Sequence, residues 1–156
     1  MAKISALIHA ENDARRIGRV LESLRACDEV MVVDHDSSDE TRKIAREHGA
    51  TVKKGIPGVE PGAYAFDLRY DWVLCLLPNE AVGEALEASL LDWKQTEHEE
   101  AAFCFPIREE NEHGWRDLPP EPRLANRTRV NWTGKLPSAN CDAAPMAGEI
   151  LRFSTP

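Results

Sequence analysis

The first eighty residues alternate short apolar runs with amphipathic segments, and no other feature of the sequence constrains the fold as strongly. Glu29 to Val33 is almost wholly apolar, which is typical of a strand buried on both faces. Ile4 to Ile8 and Trp72 to Leu77 are comparable runs, and Ala50 to Lys53 is a shorter one. Strands separated by helical segments are the pattern of βαβ units. The sequence therefore predicts a mostly parallel sheet covered by helices.

Helix signals lie between these runs. Asn12 or Asp13 is expected to cap a helix after the first strand, because short polar side chains are favoured at that position. Residues 37–40 have the S-x-x-E form of a capping box, and Gly49 is placed to end the helix that follows. A strongly helical segment, Val82 to Lys94, is predicted after the fourth strand.

The chain becomes less regular after residue 100. Three glycines and two prolines between Gly55 and Gly62 already predict a loop there. Ala101 to Phe105 is predicted to be a fifth strand, and the prolines at 119, 120 and 122 are expected to break up the region beyond it. Arg129 to Trp132 could be a short edge strand. The last twenty residues are expected to form a weakly structured tail.

Composition narrows the class of protein. The chain has 156 residues, of which 42% are hydrophobic, so one domain with a real core is expected. A net charge of -8 disfavours nucleic acid and anionic membranes as partners. The four cysteines form no C-x-x-C pair, and no apolar stretch approaches the ~18 residues that span a bilayer. We therefore expect a cytoplasmic protein without a leader or a membrane anchor.

Polar residues follow three of the predicted strands directly. They are residues 9–12 after the first strand, 34–37 after the second and 78–80 after the fourth. In open parallel sheets, ligands bind beyond the carboxyl ends of the strands, so these clusters are expected to converge on one crevice. Several of these residues could equally be helix caps. Asp34 fits that alternative least, because it ends a buried run several residues before a helix begins.

Three sequence blocks at these positions carry a resemblance to a known family. Residues 3–17 (KISALIHAENDARRI), 32–41 (VVDHDSSDET) and 71–80 (DWVLCLLPNE) resemble the successive blocks of inverting family 2 glycosyltransferases with the GT-A fold. The bacterial lipopolysaccharide-core glucosyltransferase branch is the most similar. The resemblance covers residues 3 to 94 and thins beyond residue 100.

The resemblance implies a three-layer α/β/α sandwich with a mostly parallel sheet, formed by residues 1–156 as one domain. Residues 1–94 would be the nucleotide-binding half, and residues 95–156 would be a reduced acceptor-side half. The implied activity is transfer of a sugar, with inversion, from a nucleotide-sugar donor to a saccharide or lipid-linked acceptor. A UDP-sugar is the favoured donor.

The resemblance also implies roles for individual residues. Asp34 corresponds to the acidic residue that hydrogen-bonds uracil, and Ala10 and Asn12 correspond to the wall of the base pocket. His35 and Asp36, which follow Asp34 directly, are assigned to the same nucleotide site.

The chain departs from the family at the D-x-D motif, which holds a divalent ion on the donor diphosphate. Leu77-Pro78-Asn79 occupies that position, and Mg²⁺ or Mn²⁺ needs anionic oxygen that leucine cannot provide. Asn79 and Glu80 are assigned to the diphosphate region, with Glu80 either a lone metal ligand or a first-turn helix residue. A metal cofactor is expected only if this altered site still binds one.

Two further departures concern catalysis. Residues 134–138 contain no carboxylate or imidazole where the family has its catalytic base, so the catalytic residues stay unassigned. Asp117, Glu121 and Asp142 are candidates by neighbourhood only. Pro61 to Tyr64 replaces the family's Arg-Asn pair. These departures predict a degenerate or repurposed active site.

Three alternatives remain open at this point. The domain could bind a nucleotide, a saccharide or a protein without catalysing transfer. Residues 34–37 also fit the D-x-D-x-[T/S] motif of phosphatases of the haloacid dehalogenase type, in which the first Asp attacks phosphorus. Finally, His9, His35 and Asp36 could form a small metal site.

Overall fold

Four parallel strands build the first part of the sheet in the computed structural model, which describes residues 1–156. They are β1 (Ile4–Ala10), β2 (Glu29–Asp34), β3 (Thr51–Lys54) and β4 (Trp72–Leu76), in the order β3-β2-β1-β4. Ile8 lies opposite Val32 on one side and Leu76 on the other, so the carboxyl ends of these strands meet at one edge. The predicted parallel sheet is confirmed.

The second part of the sheet is mixed. Its strands are β5 (Glu80–Val82), β6 (Ala102–Asn111), β7 (Gly114–Asn126), β10 (Ala143–Pro145) and β11 (Ile150–Arg152). The antiparallel β7 joins β4, and the order continues β7-β6-β11-β5, with β10 also paired to β6. A separate hairpin is formed by β8 (Trp132–Thr133) and β9 (Leu136–Pro137).

The helices divide the molecule into layers. α1 (Ile17–Glu22), α2 (Thr41–Glu47) and α3 (Glu84–Trp93) pack on one face of the sheet around the larger hydrophobic core. On the other face, a 3-10 helix (Pro61–Asp67) and the β8–β9 hairpin cover a smaller core that includes Leu7, Val33 and Tyr64. The predicted α/β fold class is confirmed, and a 3-10 helix with a hairpin provides its second outer layer.

The predicted caps at the starts of α1 and α2 are wrong. α1 begins only at Ile17, after a turn in which the Asp13 carbonyl accepts hydrogen bonds from the N–H groups of Arg16 and Ile17. Residues 37–40 do not form a capping box, because the Ser37 hydroxyl donates to Asp34 instead. Gly49 does end α2 in the left-handed region, with a φ of 83°.

The second half contains more strand than predicted. β6 and β7 form a long hairpin, and Pro119 and Pro120 fall between Leu118 and Glu121, at a register shift in that pairing. An irregularity of this kind accommodates residues without an N–H group, so prolines do not break the strand here.

Three other expectations for irregular segments fail. The expected edge strand at Arg129 to Trp132 is wrong, since only Trp132 belongs to a strand. The loop predicted from Gly55 to Gly62 ends early, because the 3-10 helix begins at Pro61. The expected tail instead supplies β10 and β11, and β11 lies inside the sheet between β6 and β5.

None of the helices is long and apolar enough to cross a membrane.

Candidate nucleotide-sugar site

Two cavities lie side by side at the carboxyl ends of the parallel strands. We call the larger one, about 480 Å³, the Asn79 cavity. Its lining is mostly polar: His9, Glu11, Asp13, Arg16, Pro78, Asn79, Lys135, Phe153 and Ser154. The second, about 430 Å³, is the His35 cavity. It is lined by Glu11, His35, Asp36, Gly55, Ile56, Pro57, Gly58, Val59, Pro61 and Lys135. Glu11 and Lys135 line both cavities and mark their common boundary.

The structure brings three of the seven residues assigned from the sequence to these cavities. His35 and Asp36 line the His35 cavity, and Asn79 lines the cavity named after it. The other four, Ala10, Asn12, Asp34 and Glu80, line neither cavity. Ala10 and Asp34 are each only 1% exposed, and Glu80 is fully buried.

Asp34 is held by its own chain behind the cavities. Its carboxylate accepts hydrogen bonds from the backbone N–H and the hydroxyl of Ser37, and from Arg42 at 3.0 Å. The predicted contact with uracil would require these partners to release a carboxylate that is almost fully buried. These hydrogen bonds tie Asp34 to the loop that carries His35 and Asp36 and to α2.

Asn12 and Asp36 adopt the left-handed backbone region, with φ of 52° and 58°, and they are the two non-glycine residues that do so. Such a conformation is uncommon outside glycine, although Asn and Asp tolerate it best. The Asn12 side-chain oxygen accepts from the Ser38 N–H at 2.8 Å and so ties the loop after β1 to the loop after β2. Asp36 is exposed at the cavity, where its carboxylate can accept hydrogen bonds from a ligand.

His9 and His35 pair with each other between the two cavities. His9 Nδ1 lies 2.9 Å from His35 Nε2, and the rings stack with their centroids 5.1 Å apart. Burial, and secondarily the charge of His35, lowers the pKa of His9 to about 4. Burial and the charge of Lys135 lower the pKa of His35. Both rings are therefore neutral at pH 7.

The proposed metal site of His9, His35 and Asp36 is wrong. No group of three or more His, Cys, Asp or Glu side chains in the chain is placed to hold a metal ion. The two imidazoles instead use facing ring nitrogens for the bond to each other.

Glu80 lies in β5 rather than in a helix, and it is committed to a buried ion-pair cluster. Arg123 donates to both its oxygens, at 2.6 and 2.9 Å, and both side chains are 0% exposed. Arg152 also donates to Glu80 Oε2, at 3.0 Å, and the Leu77 N–H donates to Oε1 at 2.8 Å. Glu80 thus joins β7, β11 and the turn that carries Asn79, and it has no free oxygen for a metal ion.

Residues 77–80, at the D-x-D position, therefore do not fit a divalent cation. Leu77 and Pro78 offer no side-chain oxygen, and Asn79 offers a neutral amide that also lies 3.4 Å from the Phe153 carbonyl. Mg²⁺ and Mn²⁺ prefer anionic oxygen ligands, and the Glu80 carboxylate next in sequence is buried and paired.

Sequence reasoning missed the residues that the second half brings to the crevice. Lys135 stands at the tip of the β8–β9 hairpin, where Gly134 adopts a φ of 62°. Phe153 follows β11 and packs under the Arg19 guanidinium, 3.9 Å from its ring centroid. The sequence signal that could have predicted this hairpin is Gly134, which lies between Trp132 and Leu136. Asp117, Glu121 and Asp142, considered as bases, line neither cavity.

Comparison with known proteins relates the chain to glycosyltransferases. It is 38% identical over 91 residues to an uncharacterized glycosyltransferase of Rickettsia felis, covering 56% of this chain and 32% of that protein. It is 37% identical over 110 residues to an uncharacterized glycosyltransferase of Rickettsia bellii, covering 68% of this chain and 37% of that protein. The chain thus spans about a third of the length of the curated relatives it matches. No protein-family model matches it.

The fold is that of solved glycosyltransferase structures. The crystal structure of S. aureus TarS 1-349 in complex with UDP superposes with a TM-score of 0.58, at 20% identity, over 75% of this chain and 38% of that one. The chain is therefore glycosyltransferase-like in sequence and has a GT-A-like fold. These comparisons favour neither the phosphatase nor the non-catalytic alternative.

Proposed function

We propose that this chain binds a nucleotide-sugar across the two cavities and transfers the sugar, with inversion, to a saccharide or lipid-linked acceptor. The observation that carries this proposal is the pair of adjoining polar cavities at the carboxyl ends of β1, β2 and β4, in a chain related to glycosyltransferases. The His35 cavity would take the base and the Asn79 cavity the sugar. A UDP-sugar is the favoured donor, since the fold neighbour TarS was crystallised with UDP.

In this proposal Asp36 binds the base and Asp34 positions Asp36. The exposed Asp36 carboxylate is an acceptor for the N3–H of uracil, whereas Asp34 holds the loop through Ser37 and Arg42. The loop after β3 packs tightly against His35, because a methyl group added at Gly55 would lie 2.6 Å from His35 Nδ1.

Calorimetric titration with UDP and uridine tests the base site. Replacing Asp36 by glycine removes the carboxylate and keeps the left-handed backbone conformation, which glycine adopts readily. We expect Asp36→Gly to weaken binding of both ligands by at least about tenfold, which corresponds to about 1.4 kcal/mol. Glu40→Gln, at an exposed carboxylate outside both cavities, is the matched control and should bind like the unaltered protein. Equal affinities for Asp36→Gly and the control would contradict the assignment.

Transfer itself is tested by UDP release from a panel of UDP-sugars with and without oligosaccharide and lipid-linked acceptors. Acceptor-dependent release supports the proposed activity. UDP binding without release for any donor and acceptor pair would limit the function to nucleotide binding.

A further inference from the structure

A nucleotide-sugar bound across the two cavities would need a positive charge next to its diphosphate. A nucleotide-sugar carries two negative charges on its diphosphate, and residues 77–80, at the D-x-D position, do not suit a divalent cation. Glu80, the nearest carboxylate in sequence, is fully buried against Arg123 and Arg152. A different positive charge is therefore needed where the diphosphate would lie.

Lys135 stands at that place. It is one of two residues that line both cavities, so it borders the path from the base in one cavity to the sugar in the other. Its side chain is exposed and forms no ion pair with any carboxylate of the chain. Its charge reaches both imidazoles of the histidine pair, whose pKa values it helps to lower. A second cation, Arg16, lines the Asn79 cavity but is paired to Asp13 at 2.8 Å.

The hairpin that carries Lys135 is anchored rather than free. Trp132 and Leu136 pack against the smaller core, and Pro137 is buried. Gly62 of the 3-10 helix receives the Trp132 side chain so closely that an added Cβ would lie 2.4 Å from Trp132 Cβ. The two-residue turn between Thr133 and Leu136 then fixes the position of the Lys135 backbone over the crevice.

We propose that Lys135 binds the diphosphate of the nucleotide-sugar and takes the place of the divalent cation, so that donor binding is independent of metal. This inference rests on the proposed function for the identity of the ligand. An ammonium is a compact charge with three donors, and it binds phosphate oxygens as a point charge.

The test is calorimetric titration in EDTA with three probes: UDP, uridine and inorganic pyrophosphate. We expect the unaltered protein to bind UDP at least tenfold more tightly than uridine and to bind pyrophosphate measurably. Lys135→Met should abolish the advantage of UDP over uridine and the binding of pyrophosphate, while the affinity for uridine and the melting temperature stay unchanged. Lys135→Arg should retain part of the advantage. Lys43→Met, at an exposed lysine on α2, is the matched control.

The outcomes separate this inference from the proposed function. UDP binding that requires added Mn²⁺, or that Lys135→Met leaves unchanged, overturns the role of Lys135 while nucleotide binding stands. Lys135-dependent binding of UDP and pyrophosphate without binding of uridine supports the role of Lys135 and counts against the base site. Failure of all three probes to bind overturns both.

Discussion

The two cavities and the buried ion-pair cluster of Glu80, Arg123 and Arg152 lie next to each other, but their charged side chains differ in burial and pairing. Glu80, Arg123 and Arg152 are tightly paired, and the first two are completely withdrawn from solvent. Glu11, Asp36 and Lys135 are exposed at the cavities, and none of them forms an ion pair. A buried pair stabilises one arrangement of strands, whereas an exposed unpaired charge remains available to a ligand. In this chain, therefore, the carboxylate that follows β4 most closely, Glu80, stabilises the sheet rather than facing the cavities.

The largest effect is expected from breaking the buried cluster. Glu80→Gln leaves Arg123 in the interior with only Glu121 as a charged partner, and removing one member of a buried ion pair costs about 3–5 kcal/mol. We expect the free energy of unfolding, measured by urea denaturation at pH 7, to fall by that amount. Glu40→Gln, at a solvated pair with Lys43, should change it by less than about 0.5 kcal/mol. A loss below about 1 kcal/mol for Glu80→Gln would show that the cluster is not the scaffold element inferred here.

A smaller effect is expected from the histidine pair at the crevice wall. The pKa of His9 is lowered from its ordinary value of 6.5 to about 4. Between these two pH values, His9 is therefore protonated in the unfolded chain but neutral in the folded chain. Stability is therefore fully present above pH 6.5 and is lost as the pH falls towards 4. At pH 5 this loss amounts to roughly 2 kcal/mol. His35, whose pKa is also lowered, adds a loss of the same sign.

Urea denaturation of His9→Gln at pH 7 and pH 5 measures this contribution. The variant should lose less stability than the unaltered protein between the two pH values. His113→Gln, at a histidine whose side chain is 86% exposed, should keep the original pH dependence. An unchanged pH dependence in His9→Gln would contradict the assignment to His9.

The smallest expected effect concerns Glu11, the other residue at the boundary of the cavities. Its carboxylate would repel a diphosphate bound by Lys135 as proposed, and such a contact near the surface is worth less than about 1 kcal/mol. We expect Glu11→Gln to tighten UDP binding by a few-fold in calorimetry. The gain should shrink at high salt, because exposed charges are screened. Glu47→Gln, at an exposed position on α2, should have no effect. Weaker binding by Glu11→Gln would instead indicate that Glu11 is needed for the ligand.

The parallel half of the fold was predictable because its signals are local. The run from Glu29 to Val33 has the composition of a buried strand, and the polar residues after it lie at the predicted edge of the sheet. His35, Asp36 and Asn79 line the cavities at that edge for the same reason. The burial of Asp34 could not be predicted in this way, since chain order reveals the end of a strand but not the hydrogen bonds from Ser37 and Arg42.

By itself, the sequence determined the alternation of strands and helices, the edge at which polar residues gather and the absence of a carboxylate from residues 77–79. Each of these depends on residues close together in the chain, where spacing and side-chain chemistry act directly. Only the tertiary structure decided that residues near 153 and 135 reach the crevice and that Glu80 is buried by Arg123 and Arg152. Those contacts join segments more than forty residues apart, and their partners are selected by packing of the whole sheet rather than by any local pattern.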